Sequence, residues 1–360
     1  MGADIEAMGK NITPLVTVSM VTYNHEKYIA EAIESVLGQS FKDFELVIVD
    51  DGSTDGTGEM VKKFNDDRIV YIHQENQGPS VAANTALLNA KGKYIALMSG
   101  DDVSCPNRIE RQLEEYEKSN DARLLFSYND YIDDDDNVIT GEYHAKNFFV
   151  QPDRPRHELL NWFFTQGNCL NGITAFTETK LLVNLGLYNP MLLQTQDFDM
   201  WIRAALKYDI HIIPERLIRY RIRANGKNLS APTDRLTVRI LYEYSFLLKN
   251  YLSIKSVDDL FRIFPDAKER YEGKIDAELI PFVISMLALE VDFYEPYSPA
   301  YQVFAFNTLF ELMSNPSAVE KLKSRCGFTY TDLIRLTGEY DFSNSTKVRD
   351  LQAKAHGMYL

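Results

Sequence analysis

Acidic side chains close two apolar runs in this sequence. Leu46-Val47-Ile48-Val49 ends in Asp50-Asp51, with Gly52-Ser53-Thr54 and Asp55 beyond; Tyr94-Ile95-Ala96-Leu97-Met98 ends through Ser99-Gly100 in Asp101-Asp102. Short apolar runs bounded by turn residues read as buried strands. Open α/β sheets bind ligands outside the carboxyl ends of such strands. Two acid pairs facing one crevice would hold a divalent cation, and Mg²⁺ or Mn²⁺ bound by one or two carboxylates fills its remaining positions with phosphate oxygens. The pattern therefore points to a ligand with a diphosphate. Asp50 and Asp55 are equally well explained as caps of the turn and the next helix.

Three further features extend the reading. Val18-Ser19-Met20-Val21-Thr22 is a β-branched strand ending in Tyr23-Asn24. There the Tyr23 ring is placed to stack on a nucleobase, the strand-end backbone to read its edge, and Asp51 to accept from the imide N–H of uracil. Arg219, Arg221 and Arg223 alternate with Ile218, Tyr220 and Ile222. Period two puts the three guanidinium groups on one strand face, where with Lys227 they would neutralise a departing diphosphate, or form a solvated edge. Asp133 to Asp136 and Asn137 lack the spacing and glycine of a calcium loop and are expected to be a solvated turn.

The elements that must position these groups alternate from Leu15 onward. Strands are expected at 15–22, 44–49, 69–73, 94–98 and 123–128. Helices are expected at 26–37, 57–64, 80–88 and from Pro106 to about Glu117. This alternation with short connections implies a mostly parallel sheet with helices on both faces. Farther on, helices are expected at 157–164, 178–185 and 198–207, and strands at 210–213 and 217–223. Gly167 to Gly172 precedes an apolar strand and borders a second pocket, with Cys169 buried and unreactive. After Asn225-Gly226 the composition turns to helix formers, and about six helices are expected to follow.

Composition limits the partners. The chain has 360 residues, 45% of them hydrophobic and 25% charged, with a formal net charge of −14. That charge disfavours nucleic acid or an anionic membrane as the main partner, without excluding a local basic pocket. Cys105, Cys169 and Cys326 form no CxxC pair and read as reduced thiols of a cytoplasmic protein. No apolar run is long enough to span a membrane, and residues 1–13 read as a disordered start.

Together, Val21-Thr22-Tyr23-Asn24, Val49-Asp50-Asp51-Gly52-Ser53-Thr54-Asp55, Asn76-Gln77-Gly78 with Ala83-Asn84, and Ser99-Gly100-Asp101-Asp102 resemble the family 2 glycosyltransferases over about 15–230. The resemblance implies a GT-A-type nucleotide-diphospho-sugar transferase fold over 14–232, and the change of composition a helical C-terminal domain over 233–360. It implies a nucleotide-sugar donor, most often a UDP-sugar, with Mn²⁺ or Mg²⁺, and inversion at the anomeric carbon. Carried over by position, Tyr23 flanks the uracil and Asp51 binds its N3–H. Asp101 lies near the ribose and diphosphate, and Asp102 is the metal ligand. Val21, Glu26, Asn84, Gly100, Arg221 and Arg223 complete the donor site. Ser99 stands where the family often has an aspartate, and Arg223 where many members have a metal-binding histidine.

Gln196-Asp197-Phe198-Asp199-Met200-Trp201 resembles the family's Glu-Asp-x-Asp-Leu-Trp segment, which makes Asp197 the catalytic base. A base is needed because an acceptor hydroxyl is a poor nucleophile until its proton is taken. A place at a helix start would keep Asp197 ionised; Asp199 is assigned a structural role and Trp201 to the core. The implied acceptor is a glycan or a lipid-linked sugar, in surface polysaccharide assembly such as lipopolysaccharide or capsule, in the cytoplasm or at the inner face of the membrane. A processive synthase would need membrane helices and Gln-x-x-Arg-Trp, and a sugar nucleotidyltransferase a glycine-rich basic loop after the first strand. A catalytically dead binding module would have no use for both Asp102 and Asp197. A dehydrogenase would show GxGxxG after that strand. The helical region packs on the catalytic domain, forms a homodimer or docks a partner.

Overall fold

The structure is a computed structural model that describes residues 13–119, 122–139, 148–224, 228, 234–291 and 297–341. The expected disordered start, Lys227 and the expected boundary near Thr233 lie outside the described residues, Thr13 apart. The chain forms two compact units. The first comprises Met1–Asp153, Leu170–Leu193 and Tyr208–Asn225, and the second Arg154–Cys169, Gln194–Lys207 and Gly226–Leu360.

The first unit is built on an eight-stranded sheet. In chain order its elements are β1 (Val16–Thr22), α1 (Ile29–Leu37), β2 (Phe44–Asp50), α2 (Thr57–Val61), β3 (Ile69–His73), α3 (Pro79–Asn89), β4 (Tyr94–Ser99), β5 (Val103–Ser104), α4 (Arg108–Lys118) and β6 (Ala122–Ile132). After the second unit's α5 (Arg156–Gln166) come β7 (Phe176–Glu178) and α6 (Thr179–Asn184); β8 (Asp209–Arg221) follows α7 (Gln196–Ala205), which also belongs to the second unit. The strand order is β3-β2-β1-β4-β7-β6-β8-β5. β1, β2, β3 and β4 pair in parallel, as do β6 and β8, whereas β7 is antiparallel to β4 and β6, and β5 to β8.

Successive side chains of β2 face opposite ways, as the pleat requires. Leu46 and Ile48 pack with Ile33 of α1 and Ile109 of α4, while Val47 and Val49 pack with Ala82 and Ala86 of α3. Helices thus cover both faces, which is why β2 is apolar at every position between Leu46 and Val49. The strands expected at 210–213 and 217–223 are one strand, β8, whose register against β6 shifts around Ser127 and Tyr128. The bulge carries the pairing past Pro214, which has no N–H to donate.

The second unit is helical. Besides α5 and α7 it holds α8 (Asp234–Leu247), α9 (Val257–Ile263), α10 (Pro265–Tyr271), α11 (Ile280–Glu290), α12 (Ser298–Met313), α13 (Pro316–Lys321) and α14 (Tyr330–Glu339). Phe164 of α5 meets Tyr251, Phe264 and Tyr301 edge-on. The Tyr251 and Tyr301 hydroxyls donate to main-chain carbonyls of α5, at Leu160 and Phe164. Among the described residues no helix is long and apolar enough to cross a membrane.

Candidate active site

The parallel strands β2, β1 and β4 are neighbours, so their carboxyl ends present the two acid pairs along one edge of the sheet. The main-chain N–H of Arg221 donates to Oδ1 of Asp102 at 2.8 Å. Oδ2 of Asp102 is buried and has no hydrogen-bond partner among the described residues. Burial first, and the Asp101 carboxylate second, raise the Asp102 pKa well above the usual range. A buried carboxylate oxygen left in this way is costly until a proton or a cation reaches it. That condition fits Mn²⁺ or Mg²⁺ held by Asp102. Among the described residues no three His, Cys, Asp or Glu side chains gather as a metal cage, so phosphate oxygens would have to supply further ligands.

Asp101 is held from three sides. Ser99 Oγ donates to its Oδ1 at 2.5 Å, while His25 Nε2 at 3.5 Å and Arg223 Nε at 3.2 Å face its Oδ2. The serine that replaces the expected aspartate therefore orients the acid pair. Burial lowers the His25 pKa, against the pull of Asp101. Gly100 is required by close approach, since a Cβ there would lie 2.5 Å from Thr22 Oγ1.

Asp51 is 3% exposed and organises the loop that follows β3. Its Oδ1 accepts from Gln74 Nε2 at 2.7 Å and from the Gln77 N–H at 3.0 Å, and its Oδ2 from the Gly78 N–H at 2.8 Å. A uracil N3–H would be an additional donor to Oδ2, not the residue's only partner. Asp50 accepts from the Ser53 N–H and the Tyr71 hydroxyl; burial alone would raise its pKa, but these bonds and the His73 contact keep it low. Asp55 accepts from the Glu26 and Thr57 N–H groups. Both behave as turn and helix caps.

Tyr23 is 43% exposed at the end of β1, open to a planar ligand. The Val21 carbonyl accepts from the Gly100 N–H at 2.9 Å, tying β1 to the acid pair. Glu26 accepts from the Gly56 N–H, which joins the loops after β1 and β2. Asn84 is spent on the backbone of Tyr188, donating to its carbonyl and accepting from its N–H, both at 2.8 Å. Its amide thus clamps the segment before α7 to α3.

The expectations for Arg221 and for the acidic turn need correction. Arg221 was expected to face a phosphate, but it is 1% exposed. Its guanidinium donates to the Asp101 and Asp133 carbonyls and pairs with Glu31 and Asp136. The turn at Asp133–Asp136 is not simply solvated. Asp134 accepts from the Tyr28 hydroxyl at 2.6 Å and from the Ala224 N–H at 3.2 Å. Alternation along β8 fixes the face of Arg221, but not the acidic turn that closes over that face.

In the second unit, Asp197 lies in the first turn of α7. Its Oδ1 accepts from the Phe198 N–H at 2.6 Å. Against the pull of the helix start, burial around the carboxyl pushes its pKa up to about 6, which leaves the carboxylate the main form at neutral pH. Sequence reasoning passed over Glu243 of α8, whose Oε2 accepts from the Gln194 N–H, the Thr195 N–H and the Thr195 hydroxyl. Asp199 pairs with Arg203 and accepts from Asn250, a structural role, and Trp201 is fully buried. Cys169 is buried and its thiol is pushed up to about 12.

Residues 17–179 match the Glycosyl transferase family 2 model. An uncharacterized glycosyltransferase of Methanocaldococcus jannaschii is 35% identical over 250 residues, covering 68% of this chain and 81% of the relative. The chain belongs to glycosyltransferase family 2. This glycosyltransferase is also 31% identical to an uncharacterized one of Rickettsia prowazekii, over 71% of its own length and 77% of the relative's. A segment covering 28% of Escherichia coli chondroitin synthase is 35% identical over 201 residues, 55% of this chain. Among solved structures, residues 1–349 of Staphylococcus aureus TarS in complex with UDP-GlcNAc superimpose with a TM-score of 0.55 at 19% identity, covering 88% of this chain and 93% of that one. That likeness speaks for a shared GT-A-type fold.

Proposed function

We propose that this enzyme is a metal-dependent, inverting glycosyltransferase that moves a sugar from a UDP-sugar to a hydroxyl of a glycan or lipid-linked acceptor in surface polysaccharide assembly. The observation that carries the reading is Asp102 Oδ2, buried and unpartnered among the described residues beside Asp101 at the carboxyl edge of the sheet. The exposed ring of Tyr23 and the remaining lone pair on Asp51 Oδ2 support a uracil at the neighbouring strand ends. That the TarS structure holds UDP-GlcNAc supports the same donor class. Likeness to a segment of chondroitin synthase supports a polysaccharide acceptor.

In this reading Asp102 would hold the divalent cation, whose coordination the donor's phosphate oxygens complete, and Asp101 lies near the ribose and diphosphate. Mn²⁺ or Mg²⁺, when bound, offsets the charge that builds on the leaving diphosphate. Asp197 takes the proton of the acceptor hydroxyl as its oxygen bonds to the anomeric carbon. The bond from that carbon to the diphosphate oxygen breaks, and its electron pair leaves with UDP. Attack opposite the leaving group inverts the anomeric centre. Arg223, whose Nε lies 3.2 Å from Asp101 Oδ2, is the arginine of the row to which we assign contact with a phosphate.

A panel of nucleotide sugars with Mn²⁺, followed by proton NMR of the first-formed product, tests this directly. Transfer from a UDP-sugar with the anomeric configuration reversed is expected. Retained configuration, or turnover that survives chelation of divalent ions, contradicts the reading.

A further inference from the structure

Helix α8 presents two unlike faces. Glu243, Tyr244 and Leu247 are buried at 4%, 7% and 1% exposure, whereas Val238, Tyr242 and Phe246 are 56%, 69% and 57% exposed. Those three residues are spaced by one helical turn and share a stripe. Arg235 and Arg239 are exposed on the same side, and neither forms an ion pair with a described residue. Lys249, just past the helix, places its Nζ 5.0 Å from the centre of the Phe246 ring, so it belongs to the same surface. An exposed helix face mixing two aromatic rings, a valine and three cations has the composition of a helix that lies in a membrane interface.

We infer that the exposed face of α8 docks the enzyme on an anionic phospholipid surface. A second copy of the chain is a poorer occupant. A two-fold interface opposes the same patch on both subunits, which would set Arg235, Arg239 and Lys249 against their own copies. The net charge of −14 does not prevent docking, because repulsion from distant carboxylates is screened over roughly 10 Å at ordinary ionic strength. Cations on the contacting face act within that distance. Tyr242 and Phe246 then enter the headgroup layer, where amphipathic rings are stable. The inference does not depend on the roles given to Asp102 or Asp197.

The experiment is sedimentation of the full chain with vesicles of phosphatidylcholine alone and of phosphatidylcholine mixed with phosphatidylglycerol. Binding to the mixed vesicles, absent from the neutral ones and weakened by salt, is expected. Arg235→Gln, Arg239→Gln and Lys249→Gln should each lower the partition coefficient on the order of fivefold. The pair Tyr242→Ser and Phe246→Ser should lower it at least as much. All five positions are outside the catalytic and donor-binding residues, and unchanged thermal melting of the variants shows that the fold is retained. Failure to bind either vesicle overturns the inference, as does binding that the substitutions leave unchanged. A concentration-dependent dimer that the same substitutions abolish, without vesicle binding, assigns the face to a second copy and overturns it too.

Discussion

Glu243 grips Thr195 twice, through the main-chain N–H at 2.8 Å and through the hydroxyl at 3.1 Å, and the same oxygen takes the Gln194 N–H at 2.8 Å. Thr195 is the residue from which α7 departs, so a side chain of the C-terminal region fixes the turn that carries Asp197.

Replacing Glu243 by alanine strands two main-chain donors and a hydroxyl in a buried setting, at about 1–3 kcal/mol for each group left unsatisfied. The expected result for Glu243→Ala is a lowered unfolding midpoint and a fall in kcat of about tenfold, with the donor KM little changed. Glu243→Gln keeps an acceptor oxygen and should recover much of both. Steady-state kinetics and urea denaturation of the two variants check this; equal kcat in all three proteins contradicts it.

In the proposed mechanism Asp197 sets the pH profile. Its folded pKa of about 6 lies above the ordinary aspartate value near 3.9, so the carboxylate able to accept a proton dominates only above about pH 6. The rate of transfer should fall as pH drops through 6, about tenfold per unit well below it. The sign for stability is opposite. The folded state holds a proton that the unfolded chain has already lost between about pH 4 and pH 6. Above that window the ionised Asp197 costs the fold up to about 3 kcal/mol. Asp197→Asn should therefore bind donor normally, lose transfer by about 10²-fold or more, and melt no lower than the parent at pH 7. Activity near the parent level would remove Asp197 from the mechanism.

Arg221 is a bracket. Breaking a buried ion pair by removing one partner typically costs about 3–5 kcal/mol; here Glu31 and Asp136 are partly exposed and can rehydrate, so about 3 kcal/mol is expected for Arg221→Met. Because the same guanidinium holds the Asp101 carbonyl, donor binding should weaken as well. Denaturation and UDP titration of this variant provide the check. Loss of donor affinity with unchanged stability would instead make Arg221 a direct phosphate contact.

Gly100 tests the packing of the acid pair. A Cβ at this position meets both Thr22 and His25. Gly100→Ala should displace the turn before Asp101 and weaken metal-dependent UDP binding at least tenfold while the sheet survives. Unchanged calorimetric affinity would show that the turn has room to shift.

Much of this site could be read in the sequence because it uses local signals. Buried strands ending in Asp50-Asp51 and Asp101-Asp102 announce themselves through an apolar run and a turn. What escaped notice depends on partners distant in sequence. Asp134 meets Tyr28, and Glu243 meets Thr195, across separations that no periodicity reports. The two-residue strand β5 is too short to carry a pattern. The helix start at Asp197 was legible, but the burial that overrides its effect on the carboxyl was not.

The most direct test of the account is calorimetric titration of UDP into the parent and the Asp102→Ala variant, each with and without Mn²⁺. The account predicts that Mn²⁺ strengthens UDP binding to the parent by tenfold or more, and that Asp102→Ala abolishes the gain. UDP affinity that is the same with and without Mn²⁺ in the parent, or a metal-dependent gain that persists in Asp102→Ala, would contradict it.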